Sequence, residues 1–398
     1  MSQSCCPPET ETTSAATSSC CPPQPAAANC CPPATLEESC CAAKDKKERP
    51  GYRLEPYVTD WLSTPTGEVP QVATRLGRQD TLGAWQMRWG IGRNRYTIAP
   101  GLYAVGQPDG DAPVMVSANY KLSFDALRKE LSKIDAWILV IDTKGINVWC
   151  AAGKGTFGTD EIVRRVKSCQ LEKIVSHRQL IVPQLGAPGV AAHAVARQSG
   201  FKVIYGPVRA SDLPSFLLSG LQATAQMRRV TFKARERLIL TPVELVMMNK
   251  VSGWAIICLF LLGGIGPSIY SLNDMWHRGL TASAVYLAGL LTGAVLTPIL
   301  LPWIPGAALA WKGVVAGLAA AVLACGLFAG LLDLPGSLAL LLALPAVASY
   351  CAMNFTGSTT YTSPSGVEKE MRLAIPLQAL ALLGAATAWF WSAFSGGS

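Results

Sequence analysis

The C-terminal part of the chain contains five long apolar runs, which are separated by short polar loops. They span Val251–Leu272, Leu280–Leu301, Gly313–Leu332, Ser337–Phe355 and Leu373–Phe394. Each run has about 20 residues, which is enough for a helix to cross a hydrocarbon core of about 30 Å. Inside the runs there is no Asp, Glu, Lys, Arg or His, whereas transport paths usually contain ionisable side chains. Residues 246–398 are therefore predicted to form an all-α five-helix transmembrane bundle that anchors the protein or docks a partner.

The basic residues favour a membrane partner over a nucleic acid. The net charge is +8, and many of the cations stand just before the first apolar run, at Arg228, Arg229, Lys233, Arg235, Arg237 and Lys250. The positive-inside rule places such a cluster in the cytoplasm. No apolar run typical of a signal peptide precedes residue 50. We therefore expect a multi-pass protein of the cytoplasmic (inner) membrane, with the preceding domains in the cytoplasm and no nucleic-acid partner. In that reducing compartment the 13 cysteines are not expected to form structural disulfides.

Residues 1–50 form an arm with a repeated Cys-Cys-Pro-Pro unit. Its vicinal cysteines are Cys5 and Cys6, Cys20 and Cys21, Cys30 and Cys31, and Cys40 and Cys41. The segment has little to bury and is predicted to be disordered. One interpretation is a flexible tail without chemistry. We favour the other, that the paired thiolates capture a soft metal ion such as Hg(II).

Residues 51–245 alternate between strand and helix patterns. The stretch from Tyr52 to Gly110 is predicted to be a β-rich lead-in, with strand segments over Thr97–Val105. Further strands are expected at Val114–Ser117, Trp137–Ile141, Leu180–Val182, Lys202–Tyr205 and Leu238–Leu240. Helices are expected from a Ser123 cap, from Asp160 and Glu161, and over Val190–Ser199 up to Gly200. Short apolar strands alternating with helices predict an α/β doubly wound (Rossmann-like) domain with a parallel sheet.

Ligands of such sheets bind beyond the carboxyl ends of the strands. The residues expected at that edge are Ser117 and Asn119, then the loop from Asp142 to Cys150, then Gly186 and Gly189, and finally Gly206 and Pro207. Glycine in three of the four loops allows a backbone to approach a ligand closely. Loops between strands and helices need glycine for turns in any case, but the convergence on one edge favours a binding site for a macrocycle.

One loop at this edge carries an isolated cysteine within a run of small residues. The run is Asn147, Val148, Trp149, Cys150, Ala151, Ala152, Gly153 and Lys154. Cys150 has neither a partner at disulfide spacing nor the Cys-x-x-Cys spacing of a zinc or redox site. The string NVWCAAGK, continued by GTFGT, resembles the cap-helix motif of the mercury-methylation corrinoid proteins (the HgcA family). The wider domain, about Val114–Leu240, is similar to the corrinoid-binding domain of the corrinoid iron–sulfur protein of the acetyl-CoA pathway.

The resemblance implies a corrinoid methyltransferase with a cobalamin-type cofactor. Cys150 would be the lower axial ligand of cobalt, in a position where the acetyl-CoA pathway protein has a threonine. A thiolate there raises the electron density on the metal, which suits transfer of a methyl group to an electrophile, Hg(II), giving methylmercury. The family also implies two protein partners, a ferredoxin-like iron–sulfur protein (HgcB-type) that reduces cobalt and a methyltetrahydrofolate-dependent methyl donor.

The neighbours of Cys150 have expected supporting roles. Asn147 is expected to hold the turn through side-chain hydrogen bonds, and Trp149 to pack the segment on the domain. Ala151, Ala152 and Gly153 would leave room for the corrin face. Lys154 either counters the thiolate or is simply solvated.

Two other functions remain as alternatives. A methyl carrier of a one-carbon pathway shares the chemistry but does not explain Cys150 or the apolar runs. A thiol-rich metal-binding membrane protein explains the arm but not the α/β domain.

Overall fold

The structure is a computed structural model that describes residues 55–92, 95–330, 332–355 and 364–395. The Cys-Cys-Pro-Pro arm lies outside the described residues. Its expected disorder and its metal capture therefore stay predictions.

Within the described residues, one mixed sheet of seven strands forms the centre of the first half of the chain. The strands are β1 Val58–Thr64, β2 Gly67–Val72, β3 Gly101–Val105, β4 Val114–Ala118, β5 Ala136–Ile141, β6 Gln179–Val182 and β7 Lys202–Tyr205. Their spatial order is β1-β2-β3-β5-β4-β6-β7. Strands β5, β4, β6 and β7 are parallel. The doubly wound arrangement is therefore present in these four strands, but the sheet as a whole is not parallel.

The lead-in adds the other three strands to one edge of the sheet. Strands β1 and β2 form an antiparallel hairpin, and β3 runs antiparallel to β5. A helix, α1 Arg78–Arg88, lies between β2 and β3, so the predicted β-rich lead-in contains one helix as well. A hairpin needs only a tight turn, which explains why this part of the sheet differs from the crossover-connected strands.

The central strands β4 and β5 are buried at every position and apolar at all of them except Ser117, because helices cover both faces of the sheet. On one face Val116 of β4 and Leu139 of β5 pack against helices α3 Val148–Gly153, α4 Thr159–Ser168 and α5 Ala192–Ser199. On the other face Met115 and Ile138 pack against α2 Lys121–Glu130 and α6 Leu213–Leu218.

Most of the expected helix signals are confirmed. Asp160 and Glu161 lie in the first turn of α4, and α5 ends at Gly200, whose φ is +74°. The expected cap at Ser123 is wrong, because α2 already begins at Lys121 after Tyr120.

The second half of the chain is helical. Its helices are α7 Ala234–Met247, α8 Asn249–Leu262, α9 Leu272–Leu291, α10 Thr297–Leu300, α11 Leu309–Leu327, α12 Leu334–Asn354 and α13 Pro364–Ser395, with a π-helical segment at Thr292–Leu296. In the described part of the chain, four helical segments are long and apolar enough to cross a membrane, at Leu272–Leu300, Leu309–Leu327, Leu334–Asn354 and Gly366–Ser395. Helices α7 and α8, bent by 59° at Met248, would make a fifth span if they act as one.

Two expectations for this half need correction. The strand predicted at Leu238–Leu240 is wrong, because these residues lie inside α7; the carboxylate of Glu236 accepts from the Lys233 amide at 2.7 Å and caps that helix. The first apolar run is helical only as far as Leu262. Two glycines follow, and a short hairpin pairs Ile265–Gly266 with Ile269–Tyr270, since glycine and proline in this stretch disfavour a continued helix.

Candidate functional site

A cavity of about 320 Å³ lies at the carboxyl ends of the parallel strands. The chain passes from β4 to β5 on one side and then crosses to β6 and β7 on the other. Ligand sites of doubly wound sheets form at such a switch point. The lining is mainly apolar and comes from β4, α2, the β5–α3 loop and the loops after β6 and β7: Met115, Val116, Ser117, Ser123, Ala126, Leu127, Asn147, Val148, Trp149, Ile181, Pro183, Leu185, Gly206, Pro207, Val208, Ala210 and Leu213.

The NVWCAAGK segment forms the short helix α3 beside this cavity. Asn147 is its N-cap, and the Asn147 side-chain oxygen accepts a hydrogen bond from the Cys150 amide at 2.8 Å. Cys150 is a free, half-buried thiol in the first turn of α3. Trp149, which is 37% exposed, lines the cavity together with Asn147 and Val148. The expected hydrogen-bonding role of Asn147 is confirmed. Cys150 follows the lining residue Trp149 in the chain but is not itself part of the lining.

Asn119 holds the loop that leads into α3. Its Oδ1 accepts hydrogen bonds from the amides of Thr143 and Gly145, both at 3.0 Å. Its Nδ2 donates to Asp142 at 3.1 Å. Lys144 and Gly145 have φ values of +57° and +70°, a conformation that an L-residue adopts only at a cost. Asn119 is thus a positioning residue for the cysteine segment, because its polar atoms are used inside the protein.

The small residues after Cys150 serve protein packing. Ala151 and Ala152 are buried in the core beneath the sheet edge. A Cβ at Gly189 would lie 2.2 Å from the Phe157 carbonyl oxygen and 3.0 Å from that of Ala152. Both alanines are therefore packed inside the protein, and Ala152 lets α3 approach the loop after β6. The room that they would leave for a corrin face stays a prediction. Gly153 is exposed, with open space where a Cβ would be.

Gly186 plays a similar part in the loop after β6. A Cβ there would lie 2.5 Å from the Phe157 ring, so this glycine admits a core side chain. The loop after β7 differs, because Gly206 and Pro207 line the cavity directly.

Of the residues predicted to bind a cofactor, six line the cavity: Ser117, Asn147, Val148, Trp149, Gly206 and Pro207. The others are not part of the lining: Asn119, Cys150, Ala151, Ala152, Gly153, Gly186 and Gly189. Lys154 is exposed at the C-terminal cap of α3. The sequence-based prediction missed one wall of the cleft, which Ser123, Ala126 and Leu127 of α2 supply. This wall could have been predicted from the sequence, because α2 directly follows β4, the strand at the switch point.

A second thiol in the domain is chemically different. Cys169, at the C-terminal end of α4, lies away from the cleft lining. Burial raises the pKa of the Cys169 thiol, although Arg165 acts in the opposite direction. A buried neutral thiol is a poor ligand, so this cysteine is a suitable control for Cys150.

Comparison with known proteins shows what the central part of the chain is similar to. Residues 92–217, from β3 to α6, match the family of the CO dehydrogenase/acetyl-CoA synthase delta subunit. The acetyl-CoA decarbonylase/synthase complex subunit gamma of Methanopyrus kandleri is 33% identical over 127 residues, which are 31% of this chain and 27% of that protein. The corrinoid/iron-sulfur protein large subunit of Moorella thermoacetica is 30% identical over 122 residues, which are 30% of this chain and 27% of that protein.

The chain therefore contains, at residues 92–217, a domain that is similar to part of the corrinoid/iron–sulfur proteins. It spans little more than a quarter of the length of the curated relatives that it matches. The family match covers the cleft and the Cys150 segment, whereas the β1–β2 hairpin, α1 and the apolar helices lie outside it.

Proposed function

We propose that this chain is a membrane-anchored corrinoid protein that transfers a methyl group from cobalt to Hg(II), producing methylmercury. The similarity of residues 92–217 to corrinoid/iron–sulfur proteins supports the cofactor class. The single observation that carries the choice of acceptor is the free, half-buried Cys150 thiol in the short helix that follows the lining residues Asn147, Val148 and Trp149. The apolar helices support the membrane location.

The residues of the cleft suit part of a corrinoid. A volume of about 320 Å³ is at the lower end of small-molecule sites, so the cleft would accept a substituent of the cofactor rather than the whole macrocycle. Trp149, one of the lining residues, offers a flat apolar surface that is partly exposed. When bound, the corrinoid supplies a cobalt atom that can carry a methyl group. Ser117, Asn147, Val148, Gly206 and Pro207 would contact it.

Cys150 would hold the metal through its sulfur. A thiolate is a soft, electron-rich donor, and its position is fixed by the Asn147 cap and by the loop that Asn119 pins. An electron-rich sulfur donor at this position would favour transfer of a methyl group from the bound cofactor to an electrophile. Hg(II) is such an acceptor, and it is the substrate in this proposal.

A second candidate function has its own support. The relatives that match are subunits of acetyl-CoA decarbonylase/synthase complexes and a corrinoid/iron-sulfur protein. These similarities favour a corrinoid methyl carrier of a one-carbon pathway more directly than they favour mercury as the acceptor. Cys150 and the apolar helices are the features for which this second candidate offers no role.

Replacement of Cys150 separates the two candidates. We expect purified wild-type protein with bound cobalt to methylate Hg(II), and Cys150→Ala and Cys150→Thr to lose this activity while the sheet domain stays folded by circular dichroism. Cys169→Ala is the matched control and should keep it, because that thiol lies away from the cleft. Full methylation by Cys150→Ala would refute the mercury proposal, and protein without cobalt after reconstitution would refute both candidates in favour of a thiol-rich metal-binding membrane protein.

The proposed partners follow from the same chemistry. A ferredoxin-like iron–sulfur protein would supply electrons, and a methyltetrahydrofolate-dependent protein would supply the methyl group, both from the cytoplasmic side. The cysteines of residues 1–50 would capture Hg(II). Deletion of residues 1–45 should lower methylation at trace mercury but not at saturating mercury; an unchanged rate at trace mercury would exclude this capture role.

A further inference from the structure

Helix α1 presents an apolar face that the rest of the domain does not cover. Leu82 is 63% exposed, Trp85 is 62% exposed and Trp89, just after the helix, is 38% exposed. The residues are three, four and seven positions apart, so they share one side of the helix. The rings of Trp85 and Trp89 stack with their centroids 6.4 Å apart. Large apolar side chains clustered in this way mark an interaction surface.

The opposite side of α1 is fixed firmly to the sheet domain. Lys121 Nζ lies 2.6 Å from Asp80 Oδ1, and Arg128 Nη2 lies 2.7 Å from Asp80 Oδ2. Gly83 faces the ring of Tyr96 so closely that a Cβ would lie 2.2 Å from the Tyr96 hydroxyl. These contacts hold the helix in place, and the tryptophans therefore point outward from a rigid element.

Helix α7, which leads into the apolar half of the chain, adjoins α1. Gly90, at the end of α1, approaches α7 so closely that a Cβ would lie 3.2 Å from Val246. Helix α7 buries Arg237, Thr241 and Glu244 and exposes Leu238, Ile239 and Met247. Arg235, in its first turn, is exposed as well. A helix with this inverted pattern suits a lipid environment. The exposed face of α1 therefore continues towards a surface that lipid would cover.

The charges around the tryptophans indicate which kind of lipid. Asp80 is the only acidic residue between positions 75 and 95, and Lys121 and Arg128 neutralise it. Arg75, Arg78, Arg88 and Arg95 are all exposed. Tryptophan is enriched at the membrane–water interface, and arginines beside it attract anionic headgroups.

We propose that α1 is a membrane-interface anchor, with Trp85 and Trp89 inserted at the headgroup level of an anionic bilayer. This contact would hold the sheet domain against the membrane that the apolar helices cross. The inference rests on the membrane location in the proposed function, but it does not depend on the corrinoid or on mercury.

Lipids brominated near the glycerol end of their acyl chains quench only tryptophans that reach that depth. We would reconstitute the full chain in nanodiscs with and without these lipids and subtract the emission of Trp85→Phe/Trp89→Phe from that of the wild type. The emission assigned to these two residues should lose most of its intensity in brominated discs. The emission isolated with Trp61→Phe, on strand β1, should not change. Replacement of Arg75, Arg78 and Arg88 by Gln should reduce the quenching in anionic discs.

A second difference measurement tests the membrane location of the apolar helices separately from the contact made by α1. Trp254 of α8 is 70% exposed and should be quenched if the apolar helices are in lipid. Quenching of Trp254 without quenching of Trp85 and Trp89 would overturn the interface anchor and leave the membrane location intact. Absence of quenching at Trp254 as well as at Trp85 and Trp89 would overturn both the interface anchor and the membrane location. Burial of the tryptophan pair by an added partner protein, in discs whose lipids do not quench the pair, would identify a protein-docking surface and would also overturn the proposal.

Discussion

Asn119 is the side chain whose replacement should loosen the Cys150 segment most. Asn119→Leu keeps the approximate size of the side chain but removes its hydrogen bonds with the Thr143 amide, the Gly145 amide and the Asp142 carboxylate. At about 1 kcal/mol for each amide bond and about 1.5 kcal/mol for the charged one, the loop should lose about 3–4 kcal/mol of local stability. Because about 1.4 kcal/mol corresponds to a factor of ten, amide exchange should accelerate by roughly two to three orders of magnitude.

Hydrogen exchange on peptides that cover residues 142–150 measures this effect. Thr143→Val is the matched control, because it removes the hydroxyl at 2.9 Å from Asn119 but leaves the amide hydrogen bond. Its exchange should rise by only about tenfold. Equal protection in Asn119→Leu and the wild type would refute the positioning role of Asn119, as would an effect of Thr143→Val as large as that of Asn119→Leu.

Three further perturbations test the local geometry. Gly189→Ala should lower the free energy of unfolding by about 2–3 kcal/mol, because its Cβ would meet the Phe157 carbonyl at 2.2 Å. Gly153→Ala should raise the free energy of unfolding by about 0.5–1 kcal/mol, because its Cβ meets open space in a helix. Equal denaturation midpoints for the two variants would contradict this packing. Asn147→Ala should cost about 1 kcal/mol through loss of the cap, and Asn147→Ser should restore most of it, as measured by chemical denaturation; an unaltered midpoint in Asn147→Ala would exclude the cap. Burial alone would raise the pKa of Asp80, but hydrogen bonds from Lys121, the Gly77 amide and Arg128 lower the pKa from 3.8 to about 2. The stabilising effect of the Asp80 carboxylate is therefore complete above about pH 4 and is lost as the pH falls towards 2. Acid unfolding of Asp80→Asn should lack this loss of stability, and a wild-type dependence on pH in that window would disprove the role of Asp80.

Much of the fold was predictable because local patterns and tertiary packing agree in the central domain. The four parallel strands carry continuous apolar runs, and each of them lies within a residue of its expected bounds. The helix that begins with Asp160 and Glu161 and the helix that ends at Gly200 have terminal residues with clear physical preferences. The lead-in was less readable, because hairpin strands with exposed and buried positions in irregular order give a weak periodic signal.

Errors occurred where two patterns look alike in a short window. Leu238–Leu240 is apolar and flanked by polar residues, which fits a short strand as well as a helix turn. The surrounding fourteen residues form α7, and the helix exposes Leu238 rather than burying it. Sequence periodicity shows which side of a helix is apolar, but it does not show whether lipid or protein covers that side.

The sequence by itself determined the alternating α/β order, the apolar helices and the presence of one isolated cysteine after a strand at the carboxyl edge of the sheet. It did so because these properties depend on residues close together in the chain. Only the tertiary structure decided what the neighbouring small residues do. Ala152 and Gly189 meet across 37 positions of the chain, and their small size permits the close approach of α3 to the next loop. That contact depends on the path of the backbone between them, which no local pattern encodes.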